Sequence, residues 1–365
     1  MPSDTVSLAD YERHFARMAD AGVRAYVDGA AADGFTQRNN RAAFDNLYLL
    51  PRVLTDLTGA TAATTLFGMA LDYPILIAPT AYHKLVHPEG EVATAVAAAL
   101  ARTVMTVSTQ ASVSLEDIAA AAHAPLWFQL YAQPRWDDTL TLVRRAEAAG
   151  YKALLLTVDA PLSGIRNMEQ RAGFRLPEGI RAVNLPDAPA SVRPVHPGSP
   201  VFQGMLNDAP CWSTLERLCG ATSLPVLVKG ILMPEDAELA IGAGCAGIVV
   251  SNHGGRVLDT VPPAMAVLPL VAARVAGRVP VLVDGGIRRG TDIVMAIALG
   301  AAAVLIGRPV LHALAVGGVE GVAHMLTVLQ TELEAAMALT GRARLKDIDP
   351  TILMARNGGC AYAPR

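Results

Sequence analysis

The chain has 365 residues, a formal net charge of −3 at pH 7, 52% hydrophobic residues and 17% charged residues. This composition excludes extensive disorder and supplies enough apolar side chains for a large core. A weakly negative chain lacks the basic field that nucleic acid or an anionic membrane surface requires, so neither partner is expected.

Residues 1–70 precede the first predicted barrel strand. Their pattern indicates two or three helices and a short β segment at 64–71 that is expected to cap the barrel floor. No basic N-terminal segment leads into an apolar run, and no stretch reaches the roughly 18 to 20 uninterrupted apolar residues of a spanning helix. The four cysteines lack the spacing of a metal site or a disulfide framework. We therefore expect a cytoplasmic protein with reduced thiols.

Eight short apolar runs follow, separated by helical stretches. In AEAAGYKALLLTVD, AIGAGCAGIVVSNH and AIALGAAAVLIGRP, an Ala-rich helical pattern passes through a glycine turn into a run with the length of a buried parallel strand. The predicted strands are 75–79, 104–109, 125–131, 153–159, 225–230, 247–253, 280–286 and 303–309. They predict an α/β fold, a single (β/α)8 TIM barrel at 71–345 within one domain of residues 1–365.

The composition changes between residues 173 and 210, which are rich in Pro, Ala and Gly and show no sustained period. Barrel strands resume after this segment. We therefore expect a mobile active-site loop after strand 4 rather than a linker between domains.

Polar residues gather at the carboxyl ends of the predicted strands, where the catalytic groups of such barrels stand. Each one alone is readily explained as a structural strand-end group, but so many on one rim favour a functional site. They are Ser108, Thr109, Gln129, Tyr131, Thr157, Asp159, Lys229, Ser251, Asn252, His253, Asp284, Gly307 and Arg308.

The segment SNHGGR at 251–256 is the strongest local signal. His253 supplies a proton acceptor, the glycines permit close approach to a ligand, and Arg256 supplies a planar clamp for an anion. This combination suits a substrate with a carboxylate beside the reacting carbon. Asp159 is positioned to hydrogen-bond the other ring nitrogen of His253 and stabilise its cation.

A second signal is DGGIR at 284–288 together with GRP at 307–309. Loops after strands 7 and 8 commonly form the phosphate site of these barrels, with glycine N–H groups and a guanidinium as donors. A phosphate-bearing cofactor is expected, although ordinary turn chemistry is the alternative explanation for the glycines.

Two further patterns are set aside. The run GAGCAG at 242–247 matches a dinucleotide-binding fingerprint but follows a helix and precedes a strand, the reverse of the required context. His83 and His87 have a spacing that suits a metal, yet the glutamate of the H-E-x-x-H motif is missing and Pro88 follows at once. We interpret them as loop histidines that border the substrate mouth.

The chain resembles the FMN-dependent 2-hydroxy acid oxidising family, which includes glycolate oxidase, lactate oxidase, and mandelate or hydroxymandelate oxidases and dehydrogenases. The resemblance extends from about Tyr26 to Gly341. It is carried, in order, by IAPTAYHKLVHPEGE, WFQLYAQ, LLTVDAPLSGIR, LPVLVKGI, VSNHGGRVLD, VLVDGGIRRGTDI and VLIGRP.

The resemblance implies that His253 is the catalytic base, held by Asp159. It implies that Arg166 and Arg256 bind the substrate carboxylate with help from Tyr26. Tyr131 would hydrogen-bond near the substrate oxygen, and Lys229 would lie beside the flavin N1–C2=O edge. The FMN contacts implied by the resemblance are Thr80, Ala81, Ser108, Gln129, Thr157, Lys229, Ser251, Asp284, Gly285, Gly286, Arg288, Gly307 and Arg308.

Some positions depart from the family pattern or vary within it. Ala30 replaces a frequent glycine, and Ile165 replaces the first arginine of a frequent pair whose second member is Arg166. Tyr82 and Gln110 occupy positions that vary with the substrate. The resemblance to lactate and hydroxymandelate oxidases around 81–83 implies a medium-sized or aromatic (S)-2-hydroxy acid.

The electron acceptor is expected to be O2, giving hydrogen peroxide, because Ala81 would lie near the flavin N5 and no membrane-insertion segment is evident around 173–210. An FMN-dependent dehydrogenase with another acceptor is the alternative. An FMN-dependent isomerase and a non-catalytic flavin-binding protein are less favoured, since base, clamp and cation are all present. The sequence leaves open which substrate proton His253 removes. The resemblance implies a homo-oligomer, a tetramer or an octamer.

Overall fold

The computed structural model describes residues 2–186, 199, 201–202, 206 and 209–356. Its centre is a closed barrel of eight parallel strands, which confirms the predicted fold. The strands are β1 (Ile75–Ile77), β2 (Met105–Ser108), β3 (Leu126–Leu130), β4 (Ala153–Thr157), β5 (Val226–Ile231), β6 (Gly247–Val250), β7 (Val281–Asp284) and β8 (Ala303–Ile306).

Each strand pairs with its neighbour in sequence, and β8 closes the barrel against β1 through the register Val304 to Ile75. Seven of the eight strands end earlier than the sequence predicts, and β5 ends one residue later, at Ile231. The run predicted to extend to His253, for example, ends as a strand at Val250. The polar residues beyond these ends lie in loops, and these loops meet at one mouth of the barrel.

Twelve described helices surround the barrel or precede it. Helices α1 to α3 belong to the N-terminal extension, and α12 is the last α-helix of the described chain. They are α1 (Leu8–Met18), α2 (Ala21–Asp28), α3 (Phe35–Asp45), α4 (Glu91–Leu100), α5 (Leu115–Ala121), α6 (Trp136–Ala148), α7 (Asn167–Arg171), α8 (Trp212–Ala221), α9 (Pro234–Gly242), α10 (Ala264–Val275), α11 (Gly290–Ala298) and α12 (Arg308–Leu339).

The interior of the barrel is filled by apolar side chains from its strands, including Trp127, Leu155 and Leu227. An antiparallel hairpin of Thr64–Leu66 and Met69–Leu71 closes the floor, because its buried leucines belong to this inner cluster. The predicted β cap at 64–71 is therefore confirmed. A larger apolar layer lies between the strands and the outer helices.

The N-terminal extension is tied to the opposite end of the barrel, at the mouth. The Asp259 carboxylate, beyond β6, accepts hydrogen bonds from the backbone N–H groups of Asp33, Phe35 and Thr36 at the start of α3. Gly255, in the same loop, packs so closely on α3 that an added Cβ would lie 2.7 Å from the Gln37 nitrogen. A further antiparallel pair, Leu47–Leu49 with Leu353–Ala355, joins the extension to the end of the described chain.

Helix α12 is the one described helix that is long and apolar enough to cross a membrane by length and composition. Its backbone is non-helical at Gly317 and Gly318, so it consists of two helical segments. Its inner face is buried, and it packs against α1, α4 and α11. This packing accounts for its apolar composition as that of a core helix.

Of the predicted active-site loop at 173–210, the structure describes residues 173–186, 199, 201–202, 206 and 209–210. Residues 173–186 contain no helix or strand and are anchored at their far end. Val183 donates its N–H to the Ala111 carbonyl, and the Asn184 side chain accepts a hydrogen bond from the Leu115 N–H at the start of α5.

Candidate active site

A cavity of about 410 Å³ opens at the carboxyl ends of the strands. The residues predicted to have catalytic, substrate-binding or cofactor-binding roles all line it, except Asp159 and Ser251, which contact lining residues from behind. Thr109 and Asn252, which were also expected at this rim, do not line it and hydrogen-bond instead to Gln129 and Asn40. The predicted residues that line it are Tyr26, Thr80, Ala81, Ser108, Gln129, Tyr131, Thr157, Arg166, Lys229, His253, Arg256, Asp284, Gly285, Gly286, Arg288, Gly307 and Arg308.

His253 lies three residues beyond β6 and is hydrogen-bonded at its ring and at its backbone. Its Nδ1 lies 2.9 Å from Asp159 Oδ1, and its backbone N–H donates to Ser251 Oγ at 3.0 Å. Gly230 on the neighbouring strand makes room for this pair, since an added Cβ there would lie 2.5 Å from the Asp159 Cβ. The geometry orients the imidazole with Nδ1 on the carboxylate and leaves Nε2 available for a ligand.

The Asp159 carboxylate is held in its charged form. Burial acts to raise its pKa, but nearby His253 and Lys229 stabilise the anion, and the net effect lowers the pKa below its ordinary value. Its Oδ2 is buried without a hydrogen-bond partner. An ionised carboxylate at this distance stabilises a positive charge on the imidazole, as a proton-accepting base requires.

Lys229, on β5, is a buried cation at the cavity floor. Its Nζ donates to Ser251 Oγ at 2.9 Å and forms an ion pair of 3.1 Å with Asp284 Oδ2. Burial acts to lower its pKa, yet the carboxylates of Asp284 and Asp159 outweigh burial and raise it. The site therefore contains a fixed ammonium group, 4% exposed, with one hydroxyl and one carboxylate as its partners.

A second cationic group is formed by Arg166 and Arg256 beside two tyrosines. The Arg256 guanidinium lies 5.4 Å from the centre of the Tyr26 ring, within the range of a cation–π contact. Burial raises the pKa of Tyr26 to about 12 and also raises that of Tyr131, so both hydroxyls stay protonated at neutral pH. Two guanidinium groups and two phenols supply hydrogen-bond donors suited to a carboxylate.

Sequence reasoning missed the groups that hold these arginines. Arg256 donates to the backbone carbonyls of Val27 and Gly29 at the end of α2, at 3.1 and 2.7 Å. Glu169 forms an ion pair with Arg166 and lies 3.5 Å from Arg256 Nη2. The i, i+3 spacing of Arg166 and Glu169 is a sequence pattern from which this ion pair could have been predicted. The contacts with backbone carbonyls could not have been, because a carbonyl is present at every residue.

The other end of the cavity fits a phosphate. Arg288 and Arg308 are partly buried there. Burial lowers the pKa of each, neighbouring arginines lower it further, and Glu12 acts in the opposite direction. Such a concentration of partly buried positive charge favours binding of an anion. Gly285 and Gly286 adopt left-handed conformations beside it, and α12 begins at Arg308. A helix N-terminus with guanidinium donors is a favourable site for a phosphate group.

The middle of the cavity fits a ring with polar edges. Gln129 accepts a hydrogen bond from Ser108 Oγ at 3.1 Å, but its Nε2 is buried without a partner, and so is Thr157 Oγ1. Unpaired buried polar atoms are costly, so these two groups are consistent with hydrogen bonding to a bound ligand. Together with Lys229 and the phosphate end, they match the donors that FMN requires.

The interpretation of His83 as a residue at the substrate mouth is wrong. Its side chain is 1% exposed and does not line the cavity. Its ring nitrogens contact Thr80 Oγ1 at 2.6 Å and Thr94 Oγ1 at 2.9 Å, and its backbone N–H donates to Glu91. The loop folds into a short 3-10 helix that turns the imidazole inwards, so His83 supports Thr80 from behind.

Comparison with known proteins agrees with this site. The sequence matches the FMN-dependent dehydrogenase family (FMN_dh) over residues 16–355. It is similar to L-lactate oxidase of Roseobacter sp. (strain GAI101), at 47% identity over 97% of this chain and 96% of that protein. It is also similar to 2-hydroxyacid oxidase 2 of Mus musculus, at 41% identity over 95% and 97% of the two chains.

A similar solved structure is that of mandelate oxidase with benzoyl-formic acid. It has a TM-score of 0.87 at 42% identity and covers 96% of this chain and 98% of that one. Since the family match includes the barrel and its N-terminal extension, it covers every element that contributes to the cavity. The chain therefore belongs to the FMN-dependent dehydrogenase family, and it is an enzyme that uses FMN to oxidise a 2-hydroxy acid.

Proposed function

We propose that His253 is the base in the oxidation of an (S)-2-hydroxy acid to the 2-oxo acid, with O2 as the electron acceptor. The observation that carries this proposal is the 2.9 Å contact between His253 Nδ1 and Asp159 Oδ1 beside a cavity that Arg166 and Arg256 also line. A base and an anion clamp at one cavity match a substrate whose carboxylate is next to the reacting carbon.

The residues of the site have different roles in this reaction. Arg166, Arg256 and Tyr26 bind the substrate carboxylate, and Tyr131 hydrogen-bonds the substrate oxygen. This orients the reacting carbon, because a carboxylate held by two guanidinium groups has little rotational freedom. His253 Nε2 accepts a proton from the substrate, and Asp159 stabilises the resulting imidazolium. FMN, when bound, supplies the acceptor for the two electrons that leave the substrate.

The cofactor is assigned to residues along the cavity. Arg288, Arg308, Gly286 and Gly307 would hold the phosphate, and Asp284 and Gly285 the ribityl chain. Contacts to the ring would come from Thr80, Ala81, Ser108, Gln129, Thr157 and Lys229, with Ser251 supporting Lys229. Lys229 would provide a positive charge beside the bound flavin, which would stabilise its reduced, anionic form.

For the substrate, we propose a hydroxy acid between lactate and mandelate in size. Tyr82 lines the cavity with its ring centre 6.1 Å from that of Tyr26, and Phe174 stacks on the other side of Tyr26 at 4.9 Å. Gln110 completes this wall. An aromatic wall favours an apolar or aromatic substituent on the hydroxy acid. Relatives named lactate oxidase and mandelate oxidase support the same range.

Oxygen is proposed as the acceptor because the relatives in the comparison are named oxidases and because Ala81, a small side chain at the cavity wall, would leave space beside a bound flavin ring. The competing candidate is a dehydrogenase that passes electrons to another acceptor. We also propose that residues 1–365 form one domain and that the protein is a cytoplasmic homo-oligomer, a tetramer or an octamer. Light scattering coupled to size-exclusion chromatography measures the oligomeric state directly.

One experiment tests the activity. The purified holoenzyme is mixed anaerobically with (S)-lactate, glycolate, (S)-mandelate, 4-hydroxymandelate and longer 2-hydroxy acids. The flavin absorbance band at about 450 nm is followed. We expect bleaching with lactate or mandelate, then recovery of colour and stoichiometric hydrogen peroxide when oxygen is admitted. Bleaching without recovery in oxygen would identify a dehydrogenase, and absence of bleaching with every acid would refute the proposal.

A further inference from the structure

Glu169 lies behind the two arginines of the carboxylate clamp. Its Oε1 forms an ion pair with Arg166 Nε and lies 3.5 Å from Arg256 Nη2. The side chain is 14% exposed and does not line the cavity. It therefore acts on a ligand only through the arginines and through its charge.

Helix α7 determines this position. Glu169 lies one helical turn after Arg166, the residue that precedes α7, so the two side chains meet on one face. In the part of the chain that the structure describes, Arg166 Nε faces Glu169, and the guanidinium also lines the cavity. An arginine held at Nε retains its terminal nitrogens for a planar anion.

Glu169 compensates one of the two positive charges of this group. Burial lowers the pKa of Arg256, repulsion from Arg166 lowers it further, and Tyr26 and Glu169 act in the opposite direction. The two guanidinium groups and Glu169 carry a net charge of +1. One bound carboxylate brings the total to zero, whereas a dianion leaves an uncompensated negative charge in a buried site, which is unfavourable.

We infer that Glu169 is a charge-balancing and positioning residue that biases the clamp towards ligands with a single negative charge and against dianions. The inference rests on the proposed role of Arg166 and Arg256 as the carboxylate clamp. It assigns the enzyme to monocarboxylic 2-hydroxy acids and disfavours hydroxy acids with a second carboxylate near the clamp. Removing the charge of Glu169 strengthens binding of every anion, but it strengthens binding of a dianion about twice as much in free energy.

Oxalate and oxamate test the inference because they have nearly the same shape and differ by one negative charge. Each is titrated into the oxidised holoenzyme, and the dissociation constant is read from the change in flavin absorbance, without turnover. For Glu169→Gln we expect the ratio of the oxamate to the oxalate dissociation constant to rise on the order of tenfold over the unsubstituted protein. Glu169→Asp keeps the charge and is expected to leave the ratio within about threefold.

A purely structural role predicts a different result. If Glu169 only holds Arg166 in place, Glu169→Gln changes both dissociation constants by the same factor, and the inference is overturned. If Glu169→Gln fails to retain flavin, Glu169→Ala provides a second neutral variant for the same ratio. The clamp itself is tested separately with Arg256→Met, since undiminished binding of oxamate to that variant would refute the proposed function rather than the role of Glu169.

Discussion

Arg256 and Arg308 share the same two hydrogen-bond acceptors, the backbone carbonyls of Val27 and Gly29. Val27 O accepts from Arg256 Nη1 at 3.1 Å and from Arg308 Nε at 3.2 Å, and Gly29 O accepts from the same two side chains at 2.7 and 3.1 Å. The carboxyl end of a helix carries partial negative charge, which stabilises both cations. The end of α2 therefore connects the proposed carboxylate clamp to the proposed phosphate site.

The first prediction concerns Arg308→Lys. A lysine ammonium lacks the planar fork that reaches Val27, Gly29 and Gly254 at once, so it is not held towards the phosphate. We expect the FMN dissociation constant to increase about 10- to 100-fold, the value of one charge-assisted hydrogen bond. Recovery of flavin fluorescence on dilution measures it. Arg256→Lys is the control, and equal loss of flavin from both variants would contradict separate roles.

The second prediction concerns the partner of the base. Asp159→Asn removes the negative charge 2.9 Å from His253 Nδ1 while nearly preserving shape. We expect the yellow colour to be retained and flavin reduction to slow about 10²- to 10⁴-fold, because the imidazolium loses its stabilising charge. Anaerobic stopped-flow absorbance measures the rate. A change of less than threefold would show that His253 functions without this carboxylate.

The third prediction concerns Lys229 and the pH dependence of stability. Lys229→Met leaves the Asp284 carboxylate buried without its cation, and we expect a loss of about 3–5 kcal/mol in the free energy of unfolding at pH 7. The pKa of Lys229 is raised above its ordinary 10.5, so its stabilisation is complete below that pH and is lost as pH rises through the raised folded-state pKa. Lys229→Met should not show this loss of stability at alkaline pH.

Urea unfolding between pH 7 and pH 11 measures the effect of Lys229→Met. The double variant Lys229→Met with Asp284→Asn provides the control, because it removes the uncompensated carboxylate as well. We expect the double variant to be more stable than Lys229→Met alone. If the double variant is instead less stable than Lys229→Met, the unpaired Asp284 carboxylate does not cause the loss of stability.

The fourth prediction compares two glycines with nearly the same φ angle. Gly286 has φ +82° and an added Cβ would lie 2.2 Å from the Asn40 carbonyl oxygen, whereas Gly150 has φ +83° and open space around it. Gly150→Ala should lower the free energy of unfolding by about 1 kcal/mol, because alanine is strained in the left-handed conformation. Gly286→Ala should cost at least about twice that and weaken FMN binding, since α3 has to move. Thermal unfolding compares them, and equal costs would contradict the close approach to α3.

The barrel and most of the candidate site could be predicted from local pattern. Buried parallel strands appear as short apolar runs separated by helical stretches, and the carboxyl ends of parallel barrel strands have to meet at one rim. Residues as far apart as Ser108 and Arg308 were therefore expected at one cavity, and they line it. The ends of the strands were less predictable. His253 directly follows the apolar run in sequence, so it was included in the predicted strand, but it belongs to the loop after β6.

The tertiary structure alone decided how the charged groups are supported. That Val27 and Gly29 hold Arg256 and Arg308 depends on where α2 packs against the barrel, and a backbone carbonyl has no signature in the sequence. The inward turn of His83 likewise follows from the packing of its loop against Thr94 on α4. Local periodicity determined which residues form strands and helices, whereas contacts between distant segments determined which atoms neutralise, orient and bury the charges of the site.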